Sequence, residues 1–168
     1  TPTHTIAPFT DALINAEGTN AAMQFAGATD VLMSPWATID HLIGGTTLLD
    51  TEFGLHVLEE MDRDPSRCRT TYNDAVSKHP RCSIASLAKD ELPLWFGNRN
   101  KRFGSMDEEM HPRALLLTLL ARVSIGDLFV HGTGGIAYDQ IMEQWVSSWL
   151  GITPCPATMA TATVQMKF

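Results

Sequence analysis

Apolar residues in the first half of the chain recur every three or four positions, as they do on one face of an α-helix. The pattern predicts four helices, which begin near Thr10, Ser34, Phe53 and Ser66. The hydroxyls of Thr10 and Ser34 can cap a first helical turn, and a glycine or proline follows each helix and stops it. Residues 1–90 are therefore predicted to be mainly helical.

The middle of the chain has a shorter, β-type pattern. Glu91–Phe96 predicts a strand, an asparagine-rich turn follows, and Lys101–Phe103 predicts the return strand of a hairpin. Pro93 favours the edge of a sheet, because proline has no N–H to donate to a neighbouring strand. Pro112 then suits the first turn of a helix that runs to about Val123.

The end of the chain predicts a strand, a glycine turn, a helix and a second strand. The strands are expected at Asp127–His131 and Thr158–Met166, the turn at Gly132–Gly135 and the helix at about Ile136–Leu150. This order is a βαβ unit, whose two strands pair in parallel through a right-handed crossover. The predicted fold class is α/β, a helical N-terminal half packed on a small sheet that contains this Rossmann-like fragment.

One face of the last helix carries three large apolar residues. Ile141, Trp145 and Trp149 follow the four-residue spacing at which helical side chains share a face. We expect this face to lie against the sheet.

Composition indicates one globular domain without a nucleic-acid or membrane partner. The 168 residues are 44% hydrophobic and 18% charged, so we predict a single domain over residues 1–168, with residues 91–168 as its α/β part. The net charge of −7 disfavours nucleic acid, because phosphate backbones are bound by clustered Lys and Arg. The apolar stretch Ala114–Val130 contains Arg122 and Asp127, each of which would cost about 2.5–3.5 kcal/mol at a bilayer centre.

Cysteine usage and the N-terminal sequence favour a cytoplasmic protein. Cys68, Cys82 and Cys155 are an odd set without CxxC spacing, as expected for reduced thiols rather than disulfides. No basic segment precedes an apolar one at the start of the chain, so no secretory signal is predicted. The six histidines form no HExxH or HxH pair, so no metal site is predicted.

The glycine turn is the strongest chemical signal in the sequence. Gly132-x-Gly134-x-x-Ala137 fits the Ala-ended dinucleotide fingerprint, and it stands between a predicted strand and a predicted helix. A dinucleotide site is nevertheless disfavoured, because residues 154–168 lack the carboxylate side chain that would bind a ribose hydroxyl. Two alternatives stay open, a general phosphate or carboxylate site and a purely structural tight turn.

An anion at this turn would meet backbone N–H groups, since a helix start presents unpaired donors and the positive end of the helix dipole. Three side chains could complete the site: His131 at the strand end, Tyr138 in the first helical turn, and Arg113 if its helix packs beside the sheet. Asp139 would then face away, or hold Arg113 or a cation. The candidate ligand-binding residues are His131, Gly132, Thr133, Gly134, Gly135, Tyr138, Asp139 and Arg113.

Three blocks of the sequence resemble an uncharacterised bacterial protein family that is best represented in planctomycetes. The blocks are Glu91-Leu-Pro-Leu-Trp95, His111-Pro-Arg-Ala-Leu115 and Asp127-Leu-Phe-Val-His-Gly-Thr-Gly-Gly-Ile-Ala-Tyr-Asp139, similar to the family's ELPxW, RPRAL and DLFxHGxGGxxYD patterns. The family's members are longer, and His111 stands where they have Arg. The last block is also faintly similar to the cysteine-adding enzyme of bacillithiol biosynthesis, which implies a nucleotide-like or sugar-phosphate ligand at the glycine turn.

Two functions from different classes follow from these observations. The first is binding of a small anionic or phosphate-bearing metabolite at residues 132–135, which would fit the remnant of a ligase or transferase. The strand–turn–helix order favours it. The alternative is a noncatalytic domain that scaffolds or binds a protein partner, its glycine turn being structural. The absence of the family's longer segments favours the alternative, and the sequence specifies no cofactor or oligomeric state.

Overall fold

A computed structural model groups the chain into two compact units. One unit comprises Thr1–Gly44 with Thr163–Phe168, and the other comprises Gly45–Ala162. The residues that the structure describes are 3–16, 20–35, 38, 43–97, 102, 104–106, 108–132 and 134–161.

The described part of the first unit contains two helices that pack against each other. They are α1 (Thr3–Asn15) and α2 (Ala21–Met33). Asn20 caps α2, because its side-chain oxygen accepts a hydrogen bond from the backbone N–H of Met23 at 3.0 Å. Ala28 is buried.

The helix starts predicted for this unit are wrong. Helix α1 begins before Thr10, and Ser34 ends α2, its N–H donating to the carbonyl of Asp30 at 2.9 Å. A hydroxyl can bond back to a helical carbonyl as well as cap a first turn, as the Ser34 hydroxyl does with Val31. Most of the helix predicted over residues 34–43 lies outside the described residues.

Four α-helices build most of the described part of the second unit. They are α3 (Glu52–Arg63), α4 (Pro65–Ser77), α5 (Ala114–Ser124) and α6 (Ile136–Trp149), with 3₁₀ turns at Gly45–Asp50 and Pro80–Cys82. The Thr51 hydroxyl caps α3 by accepting from the N–H of Gly54 at 3.0 Å. Asp64 both ends α3 and caps α4, which confirms the helix stop predicted at Asp64-Pro65.

A short antiparallel hairpin precedes α5. Its strands are β1 (Leu94–Phe96) and β2 (Met110–Pro112). The strand that pairs with β1 comes later in the sequence than the return strand predicted at Lys101–Phe103, and residues 101 and 103 lie outside the described residues. In this pairing the buried His111 stands opposite Trp95. Strand pairing depends on which side chains become buried, and local turn residues do not indicate that. Because Pro112 belongs to β2, helix α5 begins at Ala114.

A parallel pair of strands lies on either side of α6 in the sequence. The strands are β3 (Phe129–His131) and β4 (Ala157–Met159), with His131 opposite Met159. The predicted parallel pairing is confirmed, although both strands are shorter than predicted and residues 162–166 lie outside the described residues. The described residues form both helices and strands, and the strands form two small sheets. This agrees with the predicted α/β class.

The core of the second unit is centred on α6, which packs on α4 and α5. Ile141, Trp145 and Trp149 are buried. The prediction that their face lies against the sheet is wrong about the partner, because α6 packs mainly on α4 and α5. Trp145 packs on α4, because its indole N–H donates to the carbonyl of Cys68 at 3.3 Å and its ring meets Tyr72 edge-on at 5.2 Å. A three-residue strand spans about 10 Å whereas a 14-residue helix spans about 21 Å, so the sheet is too short to cover this face alone.

None of the described helices is long and apolar enough to cross a membrane. Nor does the described part of the chain bring three or more His, Cys, Asp or Glu side chains together as metal ligands would be. The three cysteines are free thiols, and Cys68 lies in the core. Burial raises the pKa of the Cys68 thiol above its ordinary value, so this thiol is protonated and unreactive at neutral pH.

Candidate functional site

The glycine turn joins β3 to α6 as the sequence predicts. The N–H of Gly135 donates to the carbonyl of Gly132 at 3.0 Å, and Gly135 then precedes α6 without a side-chain cap. The first turn of an α-helix has N–H groups without intrahelical acceptors, so this end of α6 carries partial positive charge. Thr133 lies outside the described residues.

Gly135 is required by a neighbouring side chain. A Cβ at this position would overlap the imidazole of His131. A Cβ at Gly132 or Gly134 would meet nothing within 4 Å. Close packing against His131 therefore explains why residue 135 is a glycine, whereas Gly132 and Gly134 have open space around them.

An ion-pair network fixes the start of α6. His131 Nε2 lies 2.8 Å from Asp139 Oδ2, and the other oxygen of that carboxylate lies 3.2 Å from Arg122 Nη1. Arg122 Nη2 lies 2.6 Å from Glu143 Oε1, and its Nε donates to the carbonyl of Cys155 at 2.9 Å. Arg122 and Asp139 are 1% and 5% exposed, so the network ties α5, α6, the end of β3 and the segment before β4 together inside the protein.

The charges in this network leave little attraction for an anion at the turn. Asp139 and Glu143 offset Arg122, and the carboxylate of Asp139 also offsets the positive end of α6. Burial favours the neutral form of Arg122, but the hydrogen bond and charge of Glu143 and the charge of Asp139 outweigh it and raise the pKa of this guanidinium. The buried Nε2 of His131 and Oδ2 of Asp139 have no partner among the described residues besides each other.

Arg113 belongs to a different charge cluster. Its Nη1 lies 2.5 Å from Glu91 Oε1, and Arg102 Nε lies 3.8 Å from the same oxygen. Glu91 is 1% exposed, and its second oxygen accepts from the backbone N–H of Ala88 at 2.9 Å. Both guanidinium groups lie over the Trp95 ring, at 4.9 Å for Arg113 and 5.8 Å for Arg102. Two cations and one carboxylate give this cluster a net charge of +1.

A cavity of about 270 Å³ brings Arg113 together with Tyr138. Its lining also includes Tyr72, Ser83, Ile84 and Trp95. Burial raises the pKa of Tyr72, so its hydroxyl is protonated at neutral pH and can donate a hydrogen bond. Ser83 has a φ of 53°, the one positive value among the described non-glycine residues, and such strain clusters at functional sites.

The predicted site residues thus separate into two groups. The turn and its network contain His131, Gly132, Gly134, Gly135 and Asp139. Arg113 and Tyr138 line the cavity, and neither His131 nor Asp139 is among its lining residues. Asp139 holds Arg122 instead of Arg113.

Several residues of the cavity and its charge cluster are not predicted by the sequence motifs. Glu91 and Trp95 stand in one block of the resemblance and Arg113 in another, so the joint occurrence of the two blocks is a usable signal. Tyr72 and Ser83 reach the cavity from α4 and from the segment after Cys82, and no local pattern marks them.

The sequence matches no protein-family model, and it matches no curated protein or solved structure. The resemblance to the planctomycete family and to the bacillithiol enzyme therefore stays an expectation from the sequence.

Proposed function

We propose that this protein binds a small anionic metabolite in the cavity beside the first turn of α6. The observation that carries the proposal is the cluster of Arg113, Glu91 and Arg102, whose net charge of +1 stands at a cavity that Arg113 lines. The proposal keeps the anionic ligand expected from the sequence. It moves that ligand from the backbone of residues 132–135 to side chains that include Arg113 and Tyr138.

Arg113 can offer an anion a paired hydrogen bond. Its side chain is 12% exposed, so an anion beside it is attracted more strongly than it would be in bulk water. A guanidinium has five N–H donors, and Glu91 contacts only Nη1. The remaining donors have the fork geometry that suits a carboxylate or a phosphate, and Tyr72 and Tyr138 line the same cavity.

The glycine turn supports this site indirectly. Tyr138 lines the cavity, and the next residue, Asp139, is held by Arg122 and His131. Successive residues of a helix point about 100° apart, so anchoring Asp139 in one direction also sets the direction of Tyr138. The turn therefore contributes to binding by holding α6 in the orientation that presents Tyr138.

One observation favours the alternative, a noncatalytic domain that binds a protein partner. Leu128, Val130 and Met159, in and beside the parallel strands, are 56%, 56% and 45% exposed. Parallel strands are usually covered on both faces, so apolar side chains exposed here suit contact with another protein. Such a domain would need no ligand in the cavity.

A thermal-shift panel of nucleotides, sugar phosphates and carboxylates, followed by calorimetric titration of the best probe, tests the proposal. We expect saturable binding that weakens about tenfold in Tyr138→Phe, because a hydrogen bond to a charged group is lost. Lys78→Gln, which removes an exposed charge outside the cavity, should bind as the wild type does. If no anion saturates the protein, the proposal is wrong and the alternative gains.

Gly134→Val tests whether the ligand lies at the turn instead. The added side chain has open space, so the fold should tolerate it, but it would block an approach to the backbone N–H groups. Binding in the cavity predicts unchanged affinity for this variant. Loss of binding with unchanged stability would place the ligand at the glycine turn.

A further inference from the structure

We infer that the ligand is a small aromatic monocarboxylate, with its carboxylate on Arg113 and its ring among Tyr72, Trp95 and Tyr138. The inference rests on the proposed function and goes further by naming the charge, shape and size of the ligand. Each of the three follows from a separate property of the cavity.

The charge of the site suits a single negative charge. Of the described residues that line the cavity, Arg113 is the only Arg, Lys, His, Asp or Glu. Its cluster with Arg102 and Glu91 carries a net charge of +1, which one carboxylate neutralises. A phosphate monoester, with a charge of about −1.5 to −2 at pH 7, would leave excess negative charge beside the buried Glu91.

The walls of the cavity suit a flat ring. Tyr138, which is 38% exposed, provides accessible aromatic surface, against which a ligand ring can pack edge-on or offset, and Tyr72 and Trp95 line the cavity beside it. The remaining apolar lining consists of Ile84, Ala114 and Leu115. A sugar phosphate would bring several hydroxyls to this surface, where few polar partners are present to replace their water.

The volume of the cavity suits a ligand of one ring. Its 270 Å³ lies just below the range of roughly 300–1,000 Å³ that drug-sized ligands fill. A nucleotide would extend out of this space into solvent. Benzoate, which is one ring with one carboxylate, is of the right size.

Calorimetric titration of the full chain with four probes tests the inference. Benzoate has the charge and the ring, benzamide lacks the charge, cyclohexanecarboxylate lacks the aromatic ring, and inorganic phosphate lacks any ring. We expect benzoate to bind most tightly. Benzamide should bind about 10–100-fold more weakly, because a charge-assisted hydrogen bond is lost. Cyclohexanecarboxylate should bind about 2–10-fold more weakly, because the aromatic contacts are lost.

Substitutions at the cavity test whether the probe binds there. Arg113→Lys keeps a positive charge beside Glu91 but loses the fork geometry, so benzoate should bind about tenfold more weakly. Tyr138→Leu should reduce the preference for benzoate over cyclohexanecarboxylate, a ratio that partial unfolding does not change. Should Arg113→Lys fail to fold, Arg102→Gln lowers the net charge of the cluster to zero from a side chain that is 54% exposed. Lys78→Gln is the matched control and should change nothing.

The outcomes separate this inference from the proposed function. Tight benzoate binding that Arg113→Lys weakens supports both. Binding of phosphate or a sugar phosphate without binding of benzoate overturns the aromatic monocarboxylate and leaves the proposed function standing. If cyclohexanecarboxylate binds as tightly as benzoate, the ligand does not need an aromatic ring. If neither Arg113→Lys nor Tyr138→Leu alters the affinity for benzoate, the cavity is not the binding site. If none of the probes nor any member of the panel binds, both proposals fail.

Discussion

At the scale of single residues, the space that a glycine leaves can be filled by a ligand or by a side chain, and a motif does not tell the two apart. The sequence treats Gly132, Gly134 and Gly135 as one turn. The structure distinguishes them, because only Gly135 is packed against another group, the imidazole of His131. The position of the turn was therefore predictable from the sequence, whereas the group that fills the space beside Gly135 was not.

Gly135→Ala should lower the free energy of unfolding by about 1–3 kcal/mol, because the methyl group forces the imidazole of His131 to move. The backbone at Gly135 has φ −79°, which alanine adopts freely, so the cost comes from overlap and not from strain. Gly134→Ala is the matched control and should change stability by less than about 1 kcal/mol. Urea unfolding measures both, and equal losses would show that the overlap is not the cause.

Cys68 should link stability to pH in alkaline solution. Burial raises the pKa of its thiol above the ordinary value of 9.0, so the unfolded chain loses this proton at a lower pH than the folded protein does. The stabilisation is fully present below that ordinary value and is lost as the pH rises beyond it, by up to about 1.4 kcal/mol per pH unit. Urea unfolding between pH 8 and pH 10 should give a steeper fall for the wild type than for Cys68→Ala. Parallel curves would contradict this account.

At the scale of elements, helix boundaries were predictable where a cap and a stop lie close together in the sequence. Asp64 and Pro65 end α3 and begin α4 through their own backbone and side chains. Helix α2 has no clear apolar stripe, since its apolar residues Phe25 and Val31 are exposed, and its start was not predicted. The partner of β1 was not predictable locally either, because strand pairing depends on which distant side chains become buried.

Trp145→Ala should destabilise the protein by about 3–5 kcal/mol, because it leaves a cavity where α6 packs on α4. The change also removes the indole N–H that bonds to Cys68 and the ring that meets Tyr72. Thermal and urea unfolding measure the loss. Leu55→Ala, at a site that is 52% exposed, should cost less than about 0.5 kcal/mol and serves as the control. A small effect of Trp145→Ala would mean that α6 does not organise this core.

At the scale of the whole molecule, the candidate site is assembled from distant parts of the sequence. Glu91 and Arg113 are 22 residues apart, and Tyr72 and Tyr138 come from separate helices. Periodicity and spacing report only neighbours along the chain, so they identified Arg113 and Tyr138 as candidates without showing what they contact. The cavity depends on packing that has to be seen in three dimensions.

Residues 45–162 should fold as an independent fragment, because a large hydrophobic cluster of the described residues lies entirely within them. We expect a cooperative urea transition, with Trp fluorescence that reports the buried environment of Trp145 and Trp149. The fragment should also retain whatever anion binding the full chain shows, since the described lining of the cavity belongs to it. A fragment without a cooperative transition would show that this unit needs the remaining residues.

The adjacency of Tyr138 and Asp139 has a consequence for how related chains can diverge. One residue is anchored and the other lines the cavity, and both are carried by a helix whose far end is fixed by Trp145. An insertion of one residue between Asp139 and Trp145 would rotate the start of the helix by about 100° relative to its buried end. Related chains can therefore differ by substitutions at many positions of this segment, but insertions and deletions within it should be selected against.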